Sequence, residues 1–223
     1  MARTFTVIDA EQRSPAWFAA RLGCITASRA CDIVASIKSG EAAARRDYRT
    51  QLVVERLTGQ LQEDGYISPD MQRGTDLEPQ AFAAYEMQTG QMASSVGFLR
   101  HDTLMAGASP DGVIGDFDGL IELKCPKSAT HLKYLRGGGV PSDYLPQLTH
   151  QLWISGAQYV DFVSYDPRFP LSMQLFIVRL LRAHAPIDDY AKKALAFLDE
   201  VERECEAVTT MANVGTVLKE AVA

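Results

Sequence analysis

The middle of the chain, between residues 93 and 123, constrains the fold most, because helical patterns give way there to short β-type segments. The turn sequences Pro110-Asp111-Gly112 and Phe117-Asp118-Gly119 separate these segments, as in an antiparallel meander. Helical patterns precede the meander, and further helices and two strands (159–165 and 174–180) follow it. This order predicts an α+β fold, in which a central, mostly antiparallel or mixed sheet is flanked by helices.

The 223 residues predict a single domain. Its parts are a helical region at about 14–90, the sheet with its helices at about 91–180, and a last helix at about 186–210. Hydrophobic residues make up 47% of the chain and charged residues 22%, which excludes disordered and collagen-like proteins. No apolar run reaches the roughly 20 residues of a membrane span, and no two cysteines form a Cys-x-x-Cys pair. We therefore expect a cytoplasmic protein with reduced thiols and no membrane contact.

Capping residues set the predicted helix boundaries. Ser14 followed by Pro15 predicts a helix that runs to Leu22, and Thr26 predicts the start of a second helix over 27–36. A third helix is predicted over 42–57. The sequence from Thr75 to Glu78 has the spacing of a capping box, and predicts a helix that Gly90 ends.

The net charge of −6 is unevenly distributed. Residues 61–122 contain eleven acidic and two basic residues, whereas residues 21–60 contain seven basic and four acidic ones, and residues 123–180 contain six basic and three acidic ones. At face value an acidic protein is a poor partner for nucleic acid. An acidic block between basic ones nevertheless fits carboxylates that hold a divalent cation beside cations that hold a polyanion, although a solvated surface gives the same pattern.

The turn before the last strand of the meander carries Asp111, and ten residues separate it from Glu122. The two-residue period of a strand places Glu122 and Lys124 on one face, while Ile121 and Leu123 point into the core. The intervening turn brings Asp111 towards Glu122. Two carboxylates beside a lysine predict a Mg²⁺ site, to which the Leu123 carbonyl adds a ligand, with Lys124 acting on a water molecule through a lowered pKa. A hairpin with solvent-facing charges is the alternative.

A second candidate site lies upstream. Arg21 ends one predicted helix, and the hydroxyls of Thr26 and Ser28 begin the next, so that free N–H groups and a guanidinium form an anion pocket suited to a terminal phosphate. Ordinary capping plus a surface arginine is the alternative. Glu78 completes the capping box or presents a further carboxylate to the metal.

Together these segments resemble the phage lambda exonuclease family, also called the YqaJ-like viral recombinases, within the PD-(D/E)xK nuclease superfamily. Residues 21–28 (RLGCITAS) resemble the family's Arg-Leu-Gly-x-Ile-Thr-Ala-Ser. Residues 109–112 (SPDG) followed by 119–126 (GLIELKCP) resemble its catalytic hairpin, and residues 144–147 (YLPQ), Trp153 and residues 165–168 (YDPR) resemble its downstream signature.

The resemblance implies a PD-(D/E)xK nuclease fold and a Mg²⁺-dependent exonuclease that digests one strand of duplex DNA from its 5′ end. Mononucleotides are released and a 3′ overhang remains for phage-type recombination. The resemblance implies one or two metal ions, for which Mn²⁺ can substitute, bound by Glu78, Asp111, Glu122 and the Leu123 carbonyl. It implies that Asp111, Glu122 and Lys124 are catalytic. It also implies that Arg21, Ser28 and Ser109 bind the 5′-phosphate.

Other residues are drawn in by the same resemblance. Gln147 matches a glutamine near the active site of the family. Related nucleases often have a tyrosine four residues later, where this chain has Gln151, so the role of Gln151 is open. In a DNA enzyme the basic side chains outside the motifs are candidate contacts with the DNA backbone, namely Arg45, Arg46, Arg49, Lys127, Lys133 and Arg136.

The resemblance also implies partners: duplex DNA ends with a 5′-phosphate, two further copies of the chain in a ring-shaped homotrimer, and a single-strand annealing protein. A phage or prophage origin and the cytosol of a bacterial host follow from it. Two rival functions remain, a site-specific or structure-specific endonuclease of the same superfamily and a non-enzymatic scaffold that binds DNA ends.

Overall fold

A computed structural model describes residues 3–62 and 68–213. Within these residues the chain forms nine strands and seven α-helices. The strands are Phe5–Ile8 (β1), Ile25–Thr26 (β2), Ala93–Ser94 (β3), Phe98–His101 (β4), Ala106–Ala108 (β5), Gly112–Ile114 (β6), Gly119–Lys124 (β7), Tyr159–Tyr165 (β8) and Leu175–Leu181 (β9). The helices are Pro15–Arg21 (α1), Ala30–Val34 (α2), Ala43–Thr58 (α3), Pro69–Thr89 (α4), Ser128–Gly137 (α5), Leu145–Ser155 (α6) and Ile187–Asn213 (α7).

The strands form two sheets, with the orders β1-β4-β5-β2 and β3-β6-β7-β8-β9. In the larger sheet β7 pairs antiparallel with β6 and parallel with β8. The α+β class with mixed strand pairing and flanking helices is therefore confirmed, and the strands divide between two sheets. The predicted meander divides, because β4 and β5 pair with the N-terminal strands β1 and β2, while β3, β6 and β7 join β8 and β9.

Strand β7 is covered on both faces. Ile121 and Leu123 pack in one hydrophobic cluster with Tyr85 of α4, whereas Leu120 packs in another with Leu148 of α6. The two-residue period therefore puts Glu122, which shares a face with Leu120, beneath α6. Each aliphatic side chain buried in these clusters contributes roughly 1.5–3 kcal/mol, so both helices are held firmly against the strand.

Two helix starts differ from the predicted ones. Helix α4 begins at Pro69, where the Ser68 hydroxyl accepts a hydrogen bond from the Met71 N–H at 3.2 Å. Thr75 lies inside this helix, and its hydroxyl donates to the Met71 carbonyl, so the capping-box start is wrong. Ser68-Pro69 repeats the signal of Ser14-Pro15, which does begin α1. The sequence also predicts an irregular segment from Gln60 to Pro69, of which residues 63–67 lie outside the described residues.

The predicted helix over 27–36 is also interrupted. Residues 27–29 form a 3₁₀ turn, and α2 is only five residues long. Thr26 makes no side-chain cap, because it belongs to β2, which pairs with β5, and its N–H donates to the Tyr48 hydroxyl at 3.1 Å. None of the helices in the two described ranges is both long and apolar enough to cross a membrane.

Candidate active site

The β6–β7 hairpin fixes Asp111 against the middle of β7. The Asp111 N–H donates to the Ile121 carbonyl at 3.0 Å, and the Asp111 carboxylate accepts from the Leu123 N–H at 2.6 Å. Phe117 closes the connecting turn with a φ of 67°, and the Asp118 N–H donates back to the Ile114 carbonyl. Because Gly112 lies opposite Ile121 in the antiparallel register, Asp111 is thereby held across from Glu122.

Glu122 is almost completely enclosed, with 2% of its surface exposed. Its Oε1 accepts from the Lys124 ammonium and from the Gln147 amide at 2.6 Å, and its Oε2 accepts from the Gln151 amide. The predicted shared face of Glu122 and Lys124 is present, but the expectation that this face is a surface is wrong, because α6 covers it. A carboxylate has about four acceptor positions, and three are used here, which leaves one for a further ligand.

Gln151 was left without a role by the sequence, and the structure places it in direct contact with Glu122. Its side chain is completely buried. Its amide oxygen has no hydrogen-bond partner, a condition that it shares only with Arg56 Nη2 among the buried side-chain atoms of the described ranges. Gln147 and Gln151 are four residues apart on α6 and therefore share a helix face. That spacing is the signal in the sequence that pairs them.

Lys124 is the cation of the site. Its ammonium donates to Glu122 and lies 5.2 Å from the centre of the Tyr144 ring. Burial alone would lower the pKa of Lys124, but the negative charges of Glu122 and Asp111 raise it above its ordinary value. These two carboxylates keep the side chain a hydrogen-bond donor, and the lowered pKa expected for Lys124 beside bound cations stays a prediction.

The other carboxyl groups carry uncompensated negative charge. Burial raises the pKa of Asp111 well above its usual value, and the charge of Glu122 adds to the effect. Glu78 on α4 is largely exposed, yet partial desolvation raises its pKa too, opposed by the positive charges of Arg13 and Lys124. A cation bound among these groups would stabilise the charged carboxylates, and so lower the pKa values of both Asp111 and Glu78.

A cleft of about 830 Å³ opens at this point. Asp111, Leu123 and Glu78 line one side of it, and residues 9–13 line the other. Glu122 is not part of its wall, because the carboxylate is turned towards α6. Across the described ranges, no three His, Cys, Asp or Glu side chains stand close enough to enclose a metal ion together.

The donor set nevertheless fits a hard divalent cation. Asp111, Glu78 and the Leu123 carbonyl offer oxygen atoms to one cleft, and Glu122 retains a free acceptor position beside Asp111. Mg²⁺ keeps several water ligands and needs only one or two carboxylates from the protein, so the arrangement does not require an enclosed cage.

The structure connects the predicted phosphate pocket to the hairpin through Trp17. The Trp17 indole N–H donates to the Ser109 hydroxyl at 2.8 Å, and the Arg21 guanidinium lies 3.9 Å from the centre of the Trp17 ring. Ser28 and Ser109 each follow one of the parallel strands β2 and β5, so they leave the sheet at the same edge. No sequence motif assigned a role to Trp17, whose contact with Ser109 depends on the packing of α1 against the hairpin. At Thr26 a three-residue 3₁₀ turn begins in place of the expected α-helix.

Most of the basic side chains proposed as DNA contacts have acidic partners. Arg45 makes a two-pronged contact with Glu200 of α7 at 2.8 and 3.0 Å, and Arg49 contacts Glu204 at 2.9 Å. Glu41 joins both arginines. Arg46 pairs with Asp47 and Lys127 with Asp70 at the surface, whereas Lys133 and Arg136 are exposed on α5. Arg45 and Arg49 therefore connect α3 to α7.

Solved structures share this architecture. The alkaline exonuclease LHK-Exo from Laribacter hongkongensis is 42% identical, with a TM-score of 0.80 over 90% of this chain and 98% of that chain. Its structure in complex with dAMP gives a TM-score of 0.81 at the same identity and coverage. A phage related exonuclease from Haemophilus somnus 129PT has the same fold, with a TM-score of 0.62 at 14% identity over 85% of this chain and 96% of that chain.

A comparison with curated protein sequences gave no match. The family model described as the YqaJ-like viral recombinase domain matches residues 16–158, which include α1, the hairpin with Asp111 and Glu122, and the glutamines of α6. With the match over most of the chain and the 42% identity to LHK-Exo, the chain belongs to the YqaJ-like viral recombinase family.

Proposed function

We propose that this protein is a Mg²⁺-dependent exonuclease that degrades one strand of linear duplex DNA from its 5′ end. It would release mononucleotides and leave a 3′ overhang for phage-type recombination. The observation that carries the proposal is the convergence of Asp111, Glu122 and Lys124 on adjacent strands, in a member of the viral recombinase family that is 42% identical to an alkaline exonuclease. The hairpin suits the PD-(D/E)xK class of nucleases.

In this proposal Asp111, Glu122, Glu78 and the Leu123 carbonyl hold one or two Mg²⁺ ions, for which Mn²⁺ can substitute. The bound ion supplies positive charge that stabilises the phosphate oxygens during hydrolysis. Lys124, whose ammonium donates to Glu122 beside these ligands, would orient the attacking water or help to deprotonate it. Gln147 fixes the Glu122 carboxylate from α6.

The 5′-phosphate of the DNA end would be held by Arg21, Ser28 and Ser109. The hydrogen bond from Trp17 to Ser109 supports this assignment. The Arg21 guanidinium contacts the Trp17 ring, and Ser109 is only two residues before Asp111 in the chain, so a series of contacts connects Arg21 to the hairpin. A charged guanidinium and two hydroxyls supply the donors that a phosphate group requires. The terminal phosphate would thereby set the position of the bond that is cut.

The exposed cations Lys133 and Arg136 on α5 are the best remaining candidates for contacts with the DNA backbone. A homotrimeric ring, a single-strand annealing protein as partner, and a place in the bacterial cytosol stay predictions from the resemblance.

The deciding experiment compares linear duplexes with closed circular duplex, each with Mg²⁺, and linear ends with and without a 5′-phosphate. We expect nucleotides to be released from linear DNA alone, and faster from phosphorylated ends. Cutting of the closed circle at a similar rate would favour an endonuclease. Binding of ends without nucleotide release, in Mg²⁺ or Mn²⁺, would favour a scaffold.

A further inference from the structure

Arg13 occupies a backbone position that suits glycine. The Ser14 N–H donates to the Glu11 carbonyl at 3.0 Å, so residues 11–14 form a β-turn, and Arg13 is its third residue with a φ of 69°. A positive φ at this place in a turn favours Gly or Asn, because a Cβ atom makes the conformation costly. Phe117 is the only other non-glycine residue with a positive φ in the described ranges.

The same residue lines the active-site cleft. The wall contains five acidic residues, and Arg13 is the only lysine or arginine in it. The acidic residues are Asp9, Glu11, Glu78, Glu86 and Asp111. Within the described structure, the guanidinium of Arg13 makes neither a hydrogen bond nor an ion pair, although the same cleft contains five carboxyl groups and its charge acts on Glu78. Its five N–H donors therefore remain available to a ligand.

The turn that carries Arg13 is rigidly connected. Ser14 caps α1 by accepting the Trp17 N–H at 3.2 Å, and Trp17 contacts both Ser109 and Arg21. Arg13 therefore directly precedes the cap of the helix that contains Trp17 and Arg21, and it shares a cleft with Glu78, Asp111 and Leu123. Strained backbone that is fixed by its surroundings, inside a cleft, is typical of residues that bind a ligand.

We propose that Arg13 binds a phosphate oxygen of the DNA strand that enters the cleft. The inference rests on the proposed nuclease function. A phosphodiester placed beside five carboxylates meets strong repulsion, which a bound cation offsets only in part, and a guanidinium offers two parallel N–H groups to the phosphate oxygens. Arg13 is thus a substrate-binding residue that the sequence motifs of the family resemblance do not include.

Arg13→Gly tests this directly, because it removes the cation and relieves the backbone at once. Binding is measured by fluorescence anisotropy with a 5′-phosphorylated blunt duplex and Mg²⁺, in a Lys124→Ala background that prevents digestion, over a series of KCl concentrations. We expect an approximately tenfold weaker affinity at 0.1 M KCl, and a plot of log affinity against log salt that is shallower by about one, as for the loss of one phosphate contact. The melting temperature should stay equal or rise.

Arg13→Lys retains the positive charge, so the slope of log affinity against log salt should stay as in the wild-type protein. Arg203→Ala is the matched control, because Arg203 is exposed on α7 and, among the described residues, pairs with Asp199 alone. Unchanged affinity and salt slope in Arg13→Gly would overturn the inference. A melting temperature that falls together with the affinity would also overturn it. In both of these outcomes the wild-type protein still digests linear DNA, so the proposed function stands. Failure of the wild-type protein to bind or digest linear duplex would instead overturn the proposed function, and this inference with it.

Discussion

Gln151→Met separates the stability of the active site from its function. Gln151 is completely buried and donates to Oε2 of Glu122, while its own amide oxygen has no partner. Methionine has nearly the same length and volume but neither an amide donor nor an amide acceptor. The substitution therefore removes one favourable and one unfavourable interaction together.

The two effects on folding are similar in size and opposite in sign. A hydrogen bond to a charged group contributes roughly 1.5–3 kcal/mol, and a buried unpaired acceptor costs roughly 1–3 kcal/mol. We expect the free energy of unfolding to change by less than about 2 kcal/mol, which is a shift of about 6 °C or less in melting temperature for a domain of this size. Glu122 meanwhile loses the group that fixes its second oxygen, and such a loss typically weakens metal binding by about 10–100-fold.

The assays are urea denaturation for stability and calorimetric titration with Mn²⁺ for metal affinity, followed by the Mg²⁺ dependence of DNA digestion. Gln72→Met is the matched control, because Gln72 donates to Asp76 at 2.8 Å on the exposed side of α4. Wild-type Mn²⁺ affinity in Gln151→Met would refute the positioning of Glu122 by this amide. A destabilisation above about 4 kcal/mol would refute the cancellation, since two effects of the stated size cannot produce it.

Three further predictions follow from the geometry. Arg45→Ala and Arg49→Ala should each lower the free energy of unfolding by roughly 1–3 kcal/mol, and the double variant by less than the sum, because both arginines contact Glu41 and Glu200. Neither substitution should change the dependence of duplex binding on salt concentration. A shallower dependence would show that these arginines contact DNA. Arg21→Ala should slow digestion of 5′-phosphorylated ends far more than of 5′-hydroxyl ends, and equal losses would remove its phosphate role. Burial lowers the pKa of His150 to about 4, so below pH 6.5 the unfolded chain binds more protons than the folded one. The free energy of unfolding, measured by urea denaturation, should therefore fall by about 2 kcal/mol between pH 7 and pH 5. In His150→Gln this fall should be smaller.

Local patterns predicted the hairpin because two rules act on neighbouring residues. The period of two decides which side chains of β7 share a face, and the Asp118-Gly119 sequence decides where the chain turns. The capping rule gave the wrong helix start where contacts between distant residues determine the structure. Thr26 is a residue type that commonly caps helices, but the pairing of β2 with β5 and a hydrogen bond to the Tyr48 hydroxyl hold it in a strand.

The sequence could not reveal what covers the site. Glu122 and Gln151 are 29 positions apart, and only the packing of α6 on the Leu120 face of β7 brings them together. Arg13 gave no signal either, because a left-handed backbone is recognised in a sequence by glycine or asparagine. Both residues were therefore missed for the same reason: their roles depend on tertiary geometry rather than on residue type or spacing.

The charge of the chain now has a more specific meaning for DNA binding. Arg45, Arg49 and Arg56 of the basic segment 21–60 pair with acidic residues of α7, so we expect them to add little to an interface with DNA. The proposed contacts with the DNA backbone are then Arg13, Lys127, Lys133 and Arg136, all of which are exposed. Each phosphate neutralised contributes about 0.9 to the slope of log affinity against log salt, so these four contacts together with Arg21 predict a slope between about −4 and −5 per chain. A measured slope steeper than about −6 would contradict this set, because it would require further cations, among them Arg45 and Arg49 released from their acidic partners, to contact DNA.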